Sequence, residues 1–296
     1  MKIESKATIS LFMTALIWGL AFISVQDALD NGWNAFPLLM CRGFIGGTVM
    51  LLFSFKKKWW RNRETIKLGM ITGSLFFLGF AFQTLGQTLS SVPNTAFITA
   101  LNVLFVPLIS RIFLGKKIRG KVYIACIMAL CGTAILSFTS SLSLHLGDVY
   151  LFLCAIFFAL QIIYNEKCGK ANDILSITCI QLLTMGLLSL LCMPFSGQTQ
   201  LPQESWGSVV FLAVISSALA CVFQLFGQGH VEPSKASLIL SLESIIATIS
   251  SILFLNQPLT SAILIGGTLT FAAVVLVEYT PKKRNIDALS IKKEKV

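Results

Sequence analysis

Gln83-Thr84-Leu85-Gly86-Gln87 recurs as Gln224-Leu225-Phe226-Gly227-Gln228, 141 residues further along the chain. The same shift lays Phe113-Leu114 on Phe254-Leu255 and Asn102 on Glu243. Shifts of 139 to 140 lay Ala15 on Ala155, Trp18 on Phe158 and Arg42 on Gln181. A two-fold repeat of this period in an apolar chain implies a membrane protein written twice, with any ligand site at the interface between the copies. The copies run over residues 1–140 and 141–280, and a basic tail occupies 281–296.

Of the 296 residues, 55% are hydrophobic and only 12% charged. A soluble domain carries about 25% charged residues, so the solvent of this chain is largely lipid. Crossing the hydrocarbon takes about 20 apolar residues in a helix. Ten segments qualify: 7–26, 34–55, 66–86, 94–114, 121–138, 147–165, 173–194, 206–227, 234–255 and 261–279. The expected fold is therefore an all-α polytopic membrane protein with ten transmembrane helices.

The net charge of +10 is a matter of topology. With the N-terminus inside, 21 of the 23 lysines and arginines fall in the cytoplasmic loops and the two ends of the chain; the other two, Arg42 and Arg111, lie within spans. The external loops hold none. Lysine and arginine bias sets orientation, which places both termini in the cytoplasm and argues against nucleic acid as a partner. The tail suits anionic lipid headgroups. Five spans per copy is an odd number, so the second copy is inverted. The loop after span two carries six basic residues, and its counterpart at 195–205 carries none.

With these features the chain resembles the EamA-type family of the drug/metabolite transporter superfamily. The residues that carry the resemblance are Trp18-Gly19 with Phe22, Arg42, Leu101-Asn102-Val103-Leu104-Phe105-Val106-Pro107, Phe113-Leu114-Gly115, Leu242-Glu243 and Phe254-Leu255. The resemblance covers essentially the whole chain. Two departures stand out: Leu114-Gly115-Lys116 and Leu255-Asn256-Gln257 where the family often has Leu-Gly-Glu, and Ser244 where it often has proline. It implies a secondary carrier of the bacterial inner membrane, commonly an exporter of amino acids or other small metabolites.

Glu243 is the sharpest single residue. It lies nine residues into span nine, about 13 Å into a core of about 30 Å. An acid there costs roughly 2.5–3.5 kcal/mol on insertion scales and is usually retained for a cavity, a proton step or a fixed partner. Its mate Asn102 shares one face of span four with Thr95 and Thr99. Those residues, with Trp18, Gln83 and Gln224, form the candidate substrate-binding set, and Glu243 is the candidate proton carrier. Arg42, also in that set, has three available roles: attracting a carboxylate, pairing with Asp27 or Asp30, or snorkelling to the outer surface; its reach to the interface favours the last two. The glutamines are near span ends and serve equally as bonds between helices. Pro107 marks a candidate hinge in span four. The Ser237, Ser241, Ser244, Thr248 and Ser251 seam reads as helix packing.

The eight cysteines form no CxxC pair and read as free, buried thiols. There is no GxxxxGK[ST] loop, no HExxH and no pair of aspartates at depth. No cofactor, metal or catalytic residue is expected, which disfavours an intramembrane enzyme. A non-transporting sensor remains the other alternative. The partner expected is a small molecule, for a monomer or a homodimer.

Overall fold

Inside a bilayer every backbone amide must bond within its own segment, so these apolar runs fold as helices. A computed structural model describes residues 2–115, 117, 120–137, 146–171, 173–198, 200–256 and 259–278, and holds no strand among them. The basic tail and residues 138–145 lie outside the described residues. Among the described residues, eight helices are long and apolar enough to cross a membrane: Ile3–Asp30, Ala35–Lys57, Arg63–Gln87, Val92–Leu114, Leu146–Gly169, Ile174–Ser196, Trp206–His230 and Pro233–Leu255. The other two expected spans are the helices Gly120–Ser137 and Ser261–Glu278, whose apolar stretches are shorter, Gly120–Gly132 and Leu264–Ala273.

We number the α-helices α1 (Ile3–Asp30), α2 (Ala35–Ser54), α3 (Arg63–Gln87), α4 (Val92–Thr99), α5 (Asn102–Leu114), α6 (Gly120–Ser137), α7 (Leu146–Gly169), α8 (Ile174–Cys192), α9 (Trp206–Phe211), α10 (Ala220–His230), α11 (Pro233–Leu240), α12 (Leu242–Leu255) and α13 (Ser261–Glu278). The helices pack in a reciprocal pattern. Helix α3 lies on α7 as α1 lies on α10, and α1 lies on α12 as α7 lies on α5. The pairs α2–α8 and α6–α13 each join equivalent elements of the two sequence halves, and α4 lies on α12 as α11 lies on α5.

Glycine sets how close these helices come. On α3, a Cβ at Gly69 or Gly73 would fall 2.5–2.7 Å from Ile180 or the Gln181 carbonyl of α8. One at Gly79 or Gly86 would fall 2.5 Å from Phe158 or Leu151 of α7. The glycine-rich third span is thus the strip on which α7 and α8 both rest.

Three spans are not the uniform helices that their apolar runs suggest. Span four breaks at Ala100–Leu101, not at Pro107, which stays inside α5. The carbonyl that Pro107 leaves without its helical donor, Val103 O, accepts the Cys126 thiol at 3.2 Å. Proline's lost bond is thus made up from α6, and the helix continues. Span nine breaks at Ser241, 141 residues after Ala100. Span eight widens into a π-helix over Leu212–Leu219, between α9 and α10. The hydroxyls of the span-nine seam turn back to their own helix: Ser244 donates to Ser241 O and Thr248 to Ser244 O, each at 2.8 Å. The seam therefore packs through small residues with satisfied hydroxyls.

Candidate functional site

A cavity lies where α1, α2, α3, α7, the π-helix and α12 meet. Its apolar wall is aromatic: Trp18 and Phe22 from α1, Phe80 from α3 and Phe158 from α7. Phe80 and Phe158 meet edge to face at 5.1 Å between centroids, and Trp18 meets Phe80 likewise at 6.3 Å. These contacts fix the ring planes. Trp18 is further held by its indole N–H, which donates to Ser216 O at 2.9 Å.

The π-helix positions two groups of the site. It turns Ser216 onto the cavity wall and brings Ser217 Oγ to 3.3 Å from Arg42 Nε, which donates to it. Wide turns of this kind concentrate at functional sites. Arg42 itself is fully buried, with its guanidinium 4.3 Å from the Phe80 ring centroid. Its two terminal nitrogens have no hydrogen-bond partner. The expected pairing with Asp27 or Asp30 is absent: Asp27 accepts from Ser208 at 2.6 Å and Asp30 from Gln26 at 2.8 Å. Nor does the side chain snorkel, because Phe80 and the π-helix enclose it. A buried cation costs several kcal/mol, and one hydroxyl with one cation–π contact of about 2 kcal/mol does not offset that. Among the described residues the guanidinium is left without an anionic partner.

Glu243 enters from the opposite side. The Ser241 break makes it the second residue of α12, in the first turn, where the helix dipole favours an anion. It is 5% exposed and has no hydrogen-bond or ion-pair partner among the described residues. Gly19 sets its position: a Cβ there would lie 2.6 Å from Ile246 and 2.9 Å from Glu243 O, so the Trp18-Gly19 pair lets α1 close onto α12. Arg42 and Glu243 share the cavity without meeting, since no nitrogen–oxygen approach of 4.0 Å or less joins them.

Of the expected site residues, Trp18, Arg42, Gln83 and Glu243 line this cavity. Thr99 stands one bond behind, accepting from Gln83 Nε2 at 3.4 Å. Thr95 and Asn102 are buried outside the lining, each with an unpartnered oxygen. Gln224 is away from it, in a reciprocal amide pair with Gln161 at 3.1 and 3.3 Å. The repeat suggests a void shared by Asn102 and Glu243, but Asn102 does not line the cavity that Glu243 lines. Sequence reading passed over Phe80, Phe158, Ser216 and Ser217 as site residues. The Trp18–Phe158 repeat match was a signal for one of them; the π-helix left none.

The model of the EamA-like transporter family matches residues 5–138 and again residues 145–279. The chain belongs to this family. It is a multi-pass protein of the cell membrane, and its relatives are named as transporters. An uncharacterized transporter of Archaeoglobus fulgidus is 28% identical over 275 residues, 92% of this chain and 85% of the relative. An S-adenosylmethionine uptake transporter of Rickettsia prowazekii is 21% identical over 92% of this chain and 95% of its own length. A probable terminal-alkyne amino-acid exporter of Streptantibioticus cattleyicolor is 22% identical over 92% and 93%. A crystal structure at 17% identity superposes with a TM-score of 0.75 over 92% of this chain and 96% of the other, which shows a shared fold.

Proposed function

We propose that this EamA-like protein is a secondary carrier that exports a small amphipathic zwitterion, an amino acid or a compound like it, by alternating access. The observation that carries the reading is one cavity holding an unsatisfied buried guanidinium and an unpaired carboxylate, separated and walled by aromatic rings. A ligand carboxylate completes Arg42, its ammonium completes Glu243, and its apolar part lies against Trp18, Phe80 and Phe158. Such a ligand is taken from water at little net electrostatic cost, because each buried charge gains a partner. The amino-acid exporter and the S-adenosylmethionine carrier among its relatives handle molecules with both charges.

The architecture that goes with this reading is ten helices in two inverted five-helix copies, 1–140 and 141–280, with both termini and the basic tail in the cytoplasm. The reciprocal packing of α1, α3, α7 and α10 and the equivalent breaks in spans four and nine support it. In that orientation the cavity belongs to the outer half of the bundle. At the basic end, Lys57–Asp173 at 2.7 Å and Lys235–Glu4 at 3.6 Å tie the two copies together. Exposed pairs of this kind are worth under about 1 kcal/mol each, a strength suited to contacts that must open.

Glu243 couples the cycle to protons, because a proton and the ligand's ammonium compete for one carboxylate. The ionisable groups facing it are Arg42 across the cavity and the Cys154 thiol of α7. Acidification neutralises the carboxylate and so weakens binding of the cationic end. In proteoliposomes, exchange of apolar L-amino acids is expected to fall as the outer pH is lowered. Glu243→Gln should exchange slowly and with a flat pH profile. A variant with wild-type rate and wild-type pH dependence ends the proton role.

A further inference from the structure

The repeat carries each residue of this cavity onto a mate in the other copy. At shifts of 139 to 141, Ala21 maps to Gln161, Val25 to Asn165, Arg42 to Gln181, Phe80 to Cys221, Gln83 to Gln224, and Glu243 back to Asn102. The first member of every pair lines the cavity. The mates are all buried, at 4% exposure or less. They are also joined to one another: Gln161 to Gln224 by two hydrogen bonds between their amides, and Gln181 Nε2 to the Cys221 sulfur at 3.6 Å. Asn165 is tied to Thr72 of α3. Towards the ends of α7 and α10, Gly169 and Gly229 bring the two backbones into direct contact and seal the cluster.

Amides are an unusual filling for a permanently closed core. Asn102 Oδ1, Asn165 Nδ2 and Gln181 Oε1 are buried without a hydrogen-bond partner, and each such group costs about 1–3 kcal/mol. Three orphans among six mates mark a surface whose partners are missing in this conformation. We infer that Asn102, Gln161, Asn165, Gln181 and Gln224 form a second, cytoplasm-facing half-site for the same zwitterion, collapsed here and held shut by the Gln161–Gln224 amide clasp. This inference rests on the alternating-access reading. The half-site meets the ligand with neutral amide donors and acceptors where the open cavity presents Arg42 and Glu243. When it opens, α7 parts from α10, and Gln224 takes the place on its face that Gln83 holds now.

Cys221 is a native reporter inside the cluster. Wild-type protein in inside-out membrane vesicles is treated with a membrane-impermeant methanethiosulfonate reagent, and modification of Cys221 is read by peptide mass spectrometry. A Lys56→Cys variant reports that the reagent reaches the cytoplasmic face. Cys221 is expected to react from the cytoplasmic side and not from the outside. Gln161→Leu, which removes the clasp at similar volume, is expected to raise that rate about fivefold, the factor such a pair is worth between membrane helices. No reaction from the cytoplasmic side in either protein, or equal reaction from both sides, overturns the half-site. The experiment needs no substrate. A chain that exchanges zwitterions yet leaves Cys221 unreactive keeps the carrier reading and loses this one.

Discussion

Replacing Arg42 with glutamine is expected to cut exchange of carboxylate-bearing ligands by about a hundredfold, because truncating one partner of a buried charge pair costs roughly 2–5 kcal/mol. The chain should still fold. Among the described residues Arg42 makes only the Ser217 bond and the contact with Phe80, and the substitution also removes the cost of an unpaired buried cation. A thermal melt in detergent separates the two effects: Arg42→Gln should melt at or above the wild-type temperature while exchange collapses. A purely structural arginine, held to orient Phe80, would give the opposite pattern, with lowered stability and exchange reduced only in proportion.

The second large effect lies in the scaffold, at the α2–α8 contact. A Cβ on Gly43 would strike the backbone of Gly186, with Leu182 O at 2.8 Å. Backbone cannot step aside as a flexible side chain can, so Gly43→Leu forces α2 and α8 apart. Overpacking costs typically 1–3 kcal/mol and occasionally more, and the upper end is expected here. The loss should appear as aggregation or a markedly lower melting temperature on size-exclusion analysis. Gly207→Ala, where nothing lies within 4 Å of the new Cβ, is the matched control and should behave as wild type. The contact also bears on function, since α2 carries Arg42 and α8 carries its mate Gln181.

Much of this molecule can be read from its residues, and the parts that cannot share a physical cause. The apolar runs and basic loops give the class of fold because lipid leaves the backbone no choice but helices. The Gln83–Gln87 echo fixes the register of the copies, and the depth of Glu243 marks it as a site residue. Finer geometry is hidden because these spans are apolar on most of their faces, so periodicity carries no phase. No glycine or proline stands at Ala100–Leu101, and Pro107, which does look like a hinge, is compensated by the Cys126 thiol of α6. The π-helix at Leu212–Leu219 packs against α1 and α2, and nothing in Ser216-Ser217 announces it. Arg42 reads as a snorkelling residue when only its distance to the interface is known. The Phe80 ring laid against it and the Ser217 hydroxyl are tertiary facts. Asn102 and Glu243 are equivalent in the repeat yet differ in surroundings, since Glu243 lines the cavity and Asn102 does not.

Counterflow in proteoliposomes asks whether one cavity recognises both charges of a zwitterion at once. Purified protein is loaded with an unlabelled apolar L-amino acid, and uptake of the labelled form is measured against three competitors: the parent amino acid, its methyl ester and its N-acetyl derivative. The parent is expected to compete fully, while the ester, which denies Arg42 its anion, and the N-acetyl compound, which denies Glu243 its cation, each fail. Equal competition by all three would overturn recognition of both charges, for it would mean that the aromatic wall alone selects the ligand and that the two buried charges serve the fold.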